Sequence, residues 1–520
     1  MTTIALSRPQ AGVPVDQHLA DPVTLDLADI QSLVLYPVAF PFARFCYFKF
    51  PQMQAARAFL STLVPLVTNA THTGRPHDDR KASEVTVAFT HDGLAAAGIP
   101  GRSLASFSAE FQQGMKARAA TFLIDRADSH PDGWEPLWNK GNIHLLVIVQ
   151  TTDIPDPSNP SHPRVSGRDT LASLCDSILA HARTLGVQLA GTQDAGALID
   201  PATNTFTDKE HFGYADGIGN PDIAGDGWPA PAGSGKSDGK GGWTPLAAGE
   251  FILGTPDEGG EMPAAPTPIG LARNGTYLCL RKLHENVGQF RRWLRDEGAR
   301  YPGGPELLAA KVVGRFRDGT PLARSPREPA GYDLQQRMDP HVMPQLTDFV
   351  YHDDAEGARC PMGAHIRRVN PRDSLGFNGV LVDRRRIIRR GAPYGEWIPE
   401  STPLEEVDRL DAVDPEHESR HGIMFMSINA SIERQFEFVQ REWMNYGNDF
   451  RQGNDRDPLL GNRDGQDRMI IQSDPSDPDA PAPHFCTGLP QFVTTRGGEY
   501  FFIPGIEALR AIARGTVATA

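Results

Sequence analysis

At 520 residues the chain is long for one hydrophobic core, which points to two domains of ordinary size. Its 39% hydrophobic and 22% charged content is that of a globular protein, and a net charge of −14 argues against nucleic acid or an anionic membrane as partner. Apolar runs such as residues 59–67 and 144–149 are too short to span a bilayer.

Residues 1–26 are mixed, contain Pro, and show no period, so they read as an N-terminal arm. They carry neither a charged stretch leading into an apolar one nor a twin arginine, and the expected location is cytoplasmic. The five cysteines, Cys46, Cys175, Cys279, Cys360 and Cys486, are few, scattered and odd in number, which fits a reducing compartment. No CxxC pair exists, which argues against a zinc knuckle or a covalently attached c-type haem.

Residues 44–50 (RFCYFKF) read as a strand and 53–67 as a helix. Residues 84–89 and 144–151 read as further strands, and 170–185 as a helix. A Gly-, Pro- and Ser-rich stretch, 225–242, cannot pack a core and reads as a loop or linker. The grammar then repeats. Residues 275–283 (GTYLCLRKL) read as a strand, 286–295 as a helix, 421–428 as a strand and 430–443 as a helix. Aligning RFCYFKF…AARAFL with TYLCLRKL…QFRRWL suggests an internal duplication. A repeated β-α-β-β-α-β order implies an α+β protein of two ferredoxin-like domains with antiparallel sheets. The expected division is an arm over 1–26, domains over 27–222 and 246–520, and a linker over 223–245.

Three motifs carry chemistry. In residues 360–372 (CPMGAHIRRVNPR), His365 sits between Ala364 and Ile366, with three arginines in the next seven positions. It reads either as a core-edge histidine with a solvated basic turn, or as an axial metal ligand whose neighbouring guanidiniums meet two propionates. In residues 211–221 (HFGYADGIGNP), three glycines in seven positions allow close backbone approach, and Asp216 is either a turn carboxylate or a functional acid. Residues 382–395 hold five arginines in seven positions. A nucleic-acid patch is argued against by the overall acidity and by residues 379–382, which suggest a strand with alternating faces. Residues 230–237 fit a relaxed phosphate-loop pattern but lack the preceding strand and following helix that such a loop requires.

Taken together these stretches resemble the dye-decolourising peroxidase family, in its longer cytoplasmic branch. The resemblance runs from about residue 27 to about 512 and includes ALIDPATNTFTDKEHFGYADGIGNP, GEFILG, CPMGAHIRRVNPRDS, RRRIIRRGAPYGE, INASIERQFEFVQREWMN and RGGEYFFIPG. It implies a dimeric α/β-barrel-type fold with haem b in the C-terminal domain, and an enzyme that reduces hydrogen peroxide and oxidises dye-like or phenolic molecules in one-electron steps.

Residue by residue, it makes His365 the iron ligand. Asp216 and Arg389 become the catalytic pair on the other haem face. Arg368 becomes a propionate partner, and Ile423 and Phe425 an apolar wall. Asp457 becomes the partner of the second His365 nitrogen, with Asp449 and Asp455 close by in sequence. It also implies electron transfer through surface aromatics, for which Tyr394 and Trp397 are candidates. Two departures stand out: Ala215 replaces the usual polar residue before the aspartate, and Ile-Gly-Asn-Pro replaces Ile-Ser-Gln-Pro. The alternatives are a haem carrier without turnover, which needs His365 but not a distal acid and guanidinium, and a cofactor-free interaction protein. Open sheet edges make homo-oligomers plausible.

Overall fold

The computed structural model describes residues 24–518 except 36–39, 73–82, 141, 154–165, 228–231, 239, 377–378, 414–417, 464, 466, 476–477 and 479. Nearly all of the expected N-terminal arm lies outside the described residues.

The first half runs β1 (Phe42–Lys49), α1 (Met53–Leu63), β2 (Ser83–Phe89), β3 (Leu145–Thr151), α2 (Gly167–Thr184) and β4 (Gln188–Gly196). Its strands pair antiparallel in the order β2-β3-β1-β4. All seven residues of β3 (LLVIVQT) are buried, as expected of a central strand flanked on both sides. Side chains of β1 alternate. Phe48 meets Phe59 of α1, with ring centroids 5.0 Å apart, while Tyr47 points the other way onto Trp138 at 5.1 Å. Helix α2 starts at Ser166, whose hydroxyl accepts a bond from Asp169 N at 3.2 Å, and ends with His181 and Arg183 near its free carbonyls.

The second half runs β5 (Thr276–Glu285), α3 (Val287–Gly298), α4 (Gly304–Val313), α5 (His365–Val369), β6 (Ile388–Arg389), β7 (Ala392–Tyr394), β8 (Gly422–Asn429), β9 (Val493–Ile503) and α6 (Ile506–Arg514). Strands β6 and β7 both pair with β8, β8 with β5, and β5 with β9, all antiparallel. Each half therefore places its second, third, first and fourth strand units side by side, the shared topology of a duplication. The halves join where Phe502 of β9 pairs with Phe89 of β2. At the far edges β4 and β7 lie next to each other over part of their length, so the sheet curls toward a barrel. The open edges on which the expectation of association rested are thus partly covered.

Three expectations are corrected. Residues 379–382 are not a strand: Gly379, at φ 89°, turns the chain into a single helical turn, Val380–Asp383, and extended backbone resumes only at β6. The helix expected over 430–443 is wound mostly as π-helix, Glu433–Glu437 and Val439–Met444. The stretch expected to link two domains packs against the second half. Ile223 bridges Leu246, Lys236–Ser237 pairs with Trp243–Thr244, and a Cβ at Gly233 would stand 1.9 Å from the Thr347 carbonyl oxygen. The phosphate-loop look-alike ends in that two-residue strand and opens no helix.

Candidate active site

A cleft between the outer face of β8 and the irregular segments around α5 holds about 1570 Å³ of atom-free space, its mouth included. Strand alternation builds one wall. Met424, Met426 and Ile428 of β8 join the central core, which leaves Ile423 and Phe425 lining the cleft beside Leu283 of β5.

His365 opens α5 and lines the cleft with Ile366 and Val369. Its Nδ1 lies 2.9 Å from Asp457 Oδ2. The other oxygen, Oδ1, accepts bonds from Leu459 N and Leu460 N, both at 2.9 Å. Asp457 N is itself bonded to the Met444 carbonyl at 2.7 Å, so the end of the π-wound segment positions the carboxylate. Burial opposes its ionisation, but the charges of His365 and Arg368 and these hydrogen bonds outweigh it and bring the carboxyl down to about 2. This geometry separates the three neighbouring aspartates: Asp455 pairs with Arg468 at 2.7 Å, and Asp449 accepts from the Trp443 indole at 3.2 Å. With Nδ1 engaged, Nε2 is the His365 nitrogen left for a ligand.

Asp216 lies in the same cleft, on the loop 208–221. The loop is tied down by Asp216 N to Asp208 O at 3.1 Å and Ala215 N to Arg317 O at 3.0 Å. Gly217, at φ 81°, makes the turn that a residue with a Cβ would strain. Arg389 reaches across from β6. Its Nη1 donates to Asp216 Oδ1 at 2.9 Å and its Nη2 to Ile218 O at 2.8 Å, while Arg389 N donates to Asn220 Oδ1 at 2.9 Å. The Asp216 side chain is 44% accessible because it faces the cleft, yet protein surrounds it at longer range. Burial pushes its carboxyl up, and Arg389, the Gly217 amide and His365 together hold it below the usual range.

Arg368 is not in the wall. It is fully buried, and its guanidinium donates to the carbonyls of Trp443 at 2.7 Å and of Tyr446 and Asp455 at 3.0 Å. It thus satisfies the end of the π-wound segment. The arginines that do line the cleft, besides Arg389, are Arg315, Arg372 and Arg386. Burial followed by repulsion from Arg372 pushes Arg315 down to about 9 and Arg386 down to about 10. Nη2 of Arg386 is buried with no partner. Four guanidiniums line one cleft, and the charges of Arg372 and Arg389 disfavour those of Arg315 and Arg386, an arrangement suited to an anion of more than one charge.

Tyr394 is not a surface residue. It is 2% exposed, and its hydroxyl bonds Ser419 Oγ at 2.7 Å. Trp397 is half-buried in a separate groove with Phe212, Phe290, Arg291 and Arg317. Asn220, Arg315, Arg372 and Arg386 were not singled out from the sequence. Arg372 and Arg386 stand inside two of the motifs, but nothing local distinguishes them from Arg367, which pairs with Asp354 at 3.1 Å, or from Arg384, which pairs with Asp257.

Residues 29–158 match the model of a protein family described as the DyP dimeric alpha+beta barrel domain. The multifunctional dye peroxidase DyP2 of Amycolatopsis sp. is 30% identical to this chain over 482 residues, which cover 88% of this chain and 89% of that protein. A solved ancestral D-type dye decolorizing peroxidase is 28% identical with a TM-score of 0.74, over 94% of this chain and 99% of that one. A dye-decolorizing peroxidase solved in complex with 2,6-dimethoxyphenol shares the fold at a TM-score of 0.73 and 24% identity, over 94% of this chain and 100% of that one.

Proposed function

The chain belongs to the dye-decolorizing peroxidase family, and on that premise we propose that the cleft holds haem b, with His365 as iron ligand and Asp216 and Arg389 as the groups that act on peroxide. Enzymes of this family are haem peroxidases that reduce hydrogen peroxide and oxidise organic molecules.

The donor set fits the group. An imidazole with one nitrogen engaged by a carboxylate is a fixed, electron-rich ligand. The partnerless Arg386 Nη2, and Arg315 and Arg372, whose charges burial disfavours, suit two propionates. The apolar faces of Ile423, Phe425, Leu283 and Leu460 suit a porphyrin plane. Arg368 stands behind the wall, its Nε and Nη2 given to three carbonyls and its Nη1 buried without a partner, so Arg315, Arg372 and Arg386, which line the cleft, are the nearer propionate partners.

When bound, haem supplies the iron at which the O–O bond of peroxide is cleaved and the oxidising equivalents that the reducing substrate later quenches. The chain supplies the proton traffic. Asp216, ionised, takes the proton from one peroxide oxygen on a carboxylate oxygen and hands it to the other, which departs as water. Arg389 stays cationic and holds Asp216 ionised and aimed through the 2.9 Å bond. Its charge also stabilises the negative charge that grows on the departing oxygen. Asp457 holds the Nδ1 proton of His365 and fixes the ring's orientation and tautomer.

The observation that carries this reading is that His365, held from behind by Asp457, and the hydrogen-bonded pair Arg389–Asp216 come from distant stretches and line one cleft. A haem carrier has no use for that pair. Phenols such as 2,6-dimethoxyphenol and bulkier dyes are the reducing substrates. Trp397 is the surface aromatic left as a relay once Tyr394 is found buried. Five free, buried cysteines fit a cytoplasmic location, and among the described residues no helix is long and apolar enough to cross a membrane.

Reconstitution with haem b tests the proposal. The wild type is expected to develop a Soret band that changes on adding peroxide and returns on adding 2,6-dimethoxyphenol. In His365→Ala the band of the bound state is lost. A cleft that takes up no haem, or a His365→Ala spectrum identical to wild type, overturns the assignment.

A further inference from the structure

Two more carboxyl groups stand in the wall of the same cleft, and the peroxide-handling pair does not use them. Glu210 and Glu285 both line it, with Glu210 8% and Glu285 3% exposed. Glu210 is built as an anion: its Oε2 accepts from Phe212 N at 2.7 Å and its Oε1 from Tyr214 N at 2.8 Å. These bonds also pin the loop that carries Asp216. Glu285 is the last residue of β5, and its Oε2 is buried without a partner. The two carboxyl groups meet each other, and the His211 amide points at Glu285.

An ionised Glu285 would leave a bare oxygen out of water and set one carboxylate against another. Both cost free energy. A proton on Glu285 removes both costs, because the bare oxygen becomes a hydroxyl that donates to Glu210. We propose that Glu285 carries this proton at neutral pH and serves as a proton-donating group of the peroxidase site, releasing it into the cleft beside Asp216. The proposal rests on the reading of Asp216 as the base that handles peroxide.

The electrostatics run the same way: burial first, then Glu210 and Asp216, push the Glu285 carboxyl well above the usual range. The charged and titratable groups facing the pair are Asp216, the His211 ring, His421, whose Nε2 lies 3.0 Å from Glu285 O, and Arg315 and Arg389 in the same wall. Burial and the neighbouring His421 bring the His211 ring down to about 3, so it is uncharged near neutrality and carries no acidic imidazolium proton to give.

The balance is simple. One peroxide becomes two waters by taking two electrons from the reducing substrate and two protons. One of these protons leaves the Glu285 hydroxyl, and the carboxylate left behind is reprotonated from solvent through the cleft.

Infrared spectra of the cofactor-free protein test the protonation directly. At pH 7 the wild-type minus Glu285→Gln difference spectrum is expected to show a carboxylic-acid carbonyl band that shifts in D2O, the contribution of the buried Glu499 cancelling between the two. Glu210→Gln, which removes the acceptor, should move the band, and it decides the matter should Glu285→Gln fail to fold. The role is tested on the reconstituted enzyme: Glu285→Gln should lose roughly tenfold in peroxide turnover at pH 8 and less than about twofold at pH 5, where solvent supplies protons. A spectrum unchanged by both substitutions overturns the proposal, as does an equal loss at both pH values, which marks a structural role. Loss of the band in Glu285→Gln, together with normal peroxide reactivity in Asp216→Asn, would leave the protonated Glu285 standing and remove Asp216 as the base.

Discussion

On the proposed reading, Asp216 is a turn carboxylate that serves as a base. Its loop contributes Gly217 at φ 81° and the carbonyl of Ile218, and β6 contributes the Arg389 fork that binds that carbonyl and the Asp216 carboxylate. Asp216→Asn keeps the shape and removes the proton acceptor, so the second-order reaction with peroxide should fall by about 10²–10⁴, read by stopped flow. Because Arg389 and the Gly217 amide hold the carboxyl below its usual range, the wild-type reaction should persist through ordinary carboxylate pH values and fail only on further acidification. Substituting Arg389 with Leu should move that acid limb to higher pH. His365, Asp216 and Arg389 line one cleft, as the family resemblance implied, whereas composition alone left each motif open to an ordinary reading. The other cleft arginines were not singled out. Arg367, Arg368 and Arg372 look equivalent in sequence, but the first takes Asp354, the second takes three carbonyls, and only the third reaches the cleft.

The elements themselves explain where polar residues could be buried. Strand β5 is buried at all ten positions, although it carries Arg281, Lys282, His284 and Glu285. Its neighbours supply partners: Asp125 for Arg281, and Glu135 for Lys282 at 2.8 Å. Burial raises the Asp125 carboxyl to about 6 despite Arg281, so the pair is costly to bury and costlier to break. Asp125→Ala should therefore destabilise the protein by about 3–5 kcal/mol in urea unfolding, by leaving Arg281 uncompensated. Replacing both with apolar residues should recover most of that. A loss under about 1 kcal/mol for the single substitution would mean that Arg281 is not held in the core. The arginine-rich stretch 384–390 shows the same economy. Arg384 pairs with Asp257, Arg385 stacks on Phe438, Arg389 meets Asp216, Arg390 donates to Leu33 O and Val34 O, and Arg386 lines the cleft.

In the whole molecule the two halves are stitched through β9. Beyond the Phe502–Phe89 pair, Glu499 Oε1 accepts from Met115 N at 2.8 Å, which ties an insertion of the first half to the last strand of the second. Burial raises the Glu499 carboxyl to about 7, against backbone bonds from Met115 and Tyr500 that lower it. An unfolded Glu ionises near about 4.3, so between there and about 7 the unfolded chain gives up a proton that the folded one keeps. Global stability should fall as pH rises through that window and level off above it. Glu499→Gln should flatten this part of the profile, measured as the denaturant midpoint against pH. An unchanged slope would show that Glu499 is not held protonated.

The amino-acid order determined most of the periodic elements, the repeated α+β grammar and the three motifs, because hydrophobic period, glycine placement and clustered arginines are local properties of the chain. It did not give the helical turn at Val380–Asp383, the π-winding of residues 433–444 or the packing of the Gly-rich stretch against the second half. The selection among chemically identical side chains belonged to tertiary structure: which arginines besides Arg389 reach the cleft, and how deeply Tyr394 is buried. That selection depends on which groups distant segments bring within 3 Å, and on how much water is removed around them, and neither quantity is written in any one stretch of sequence.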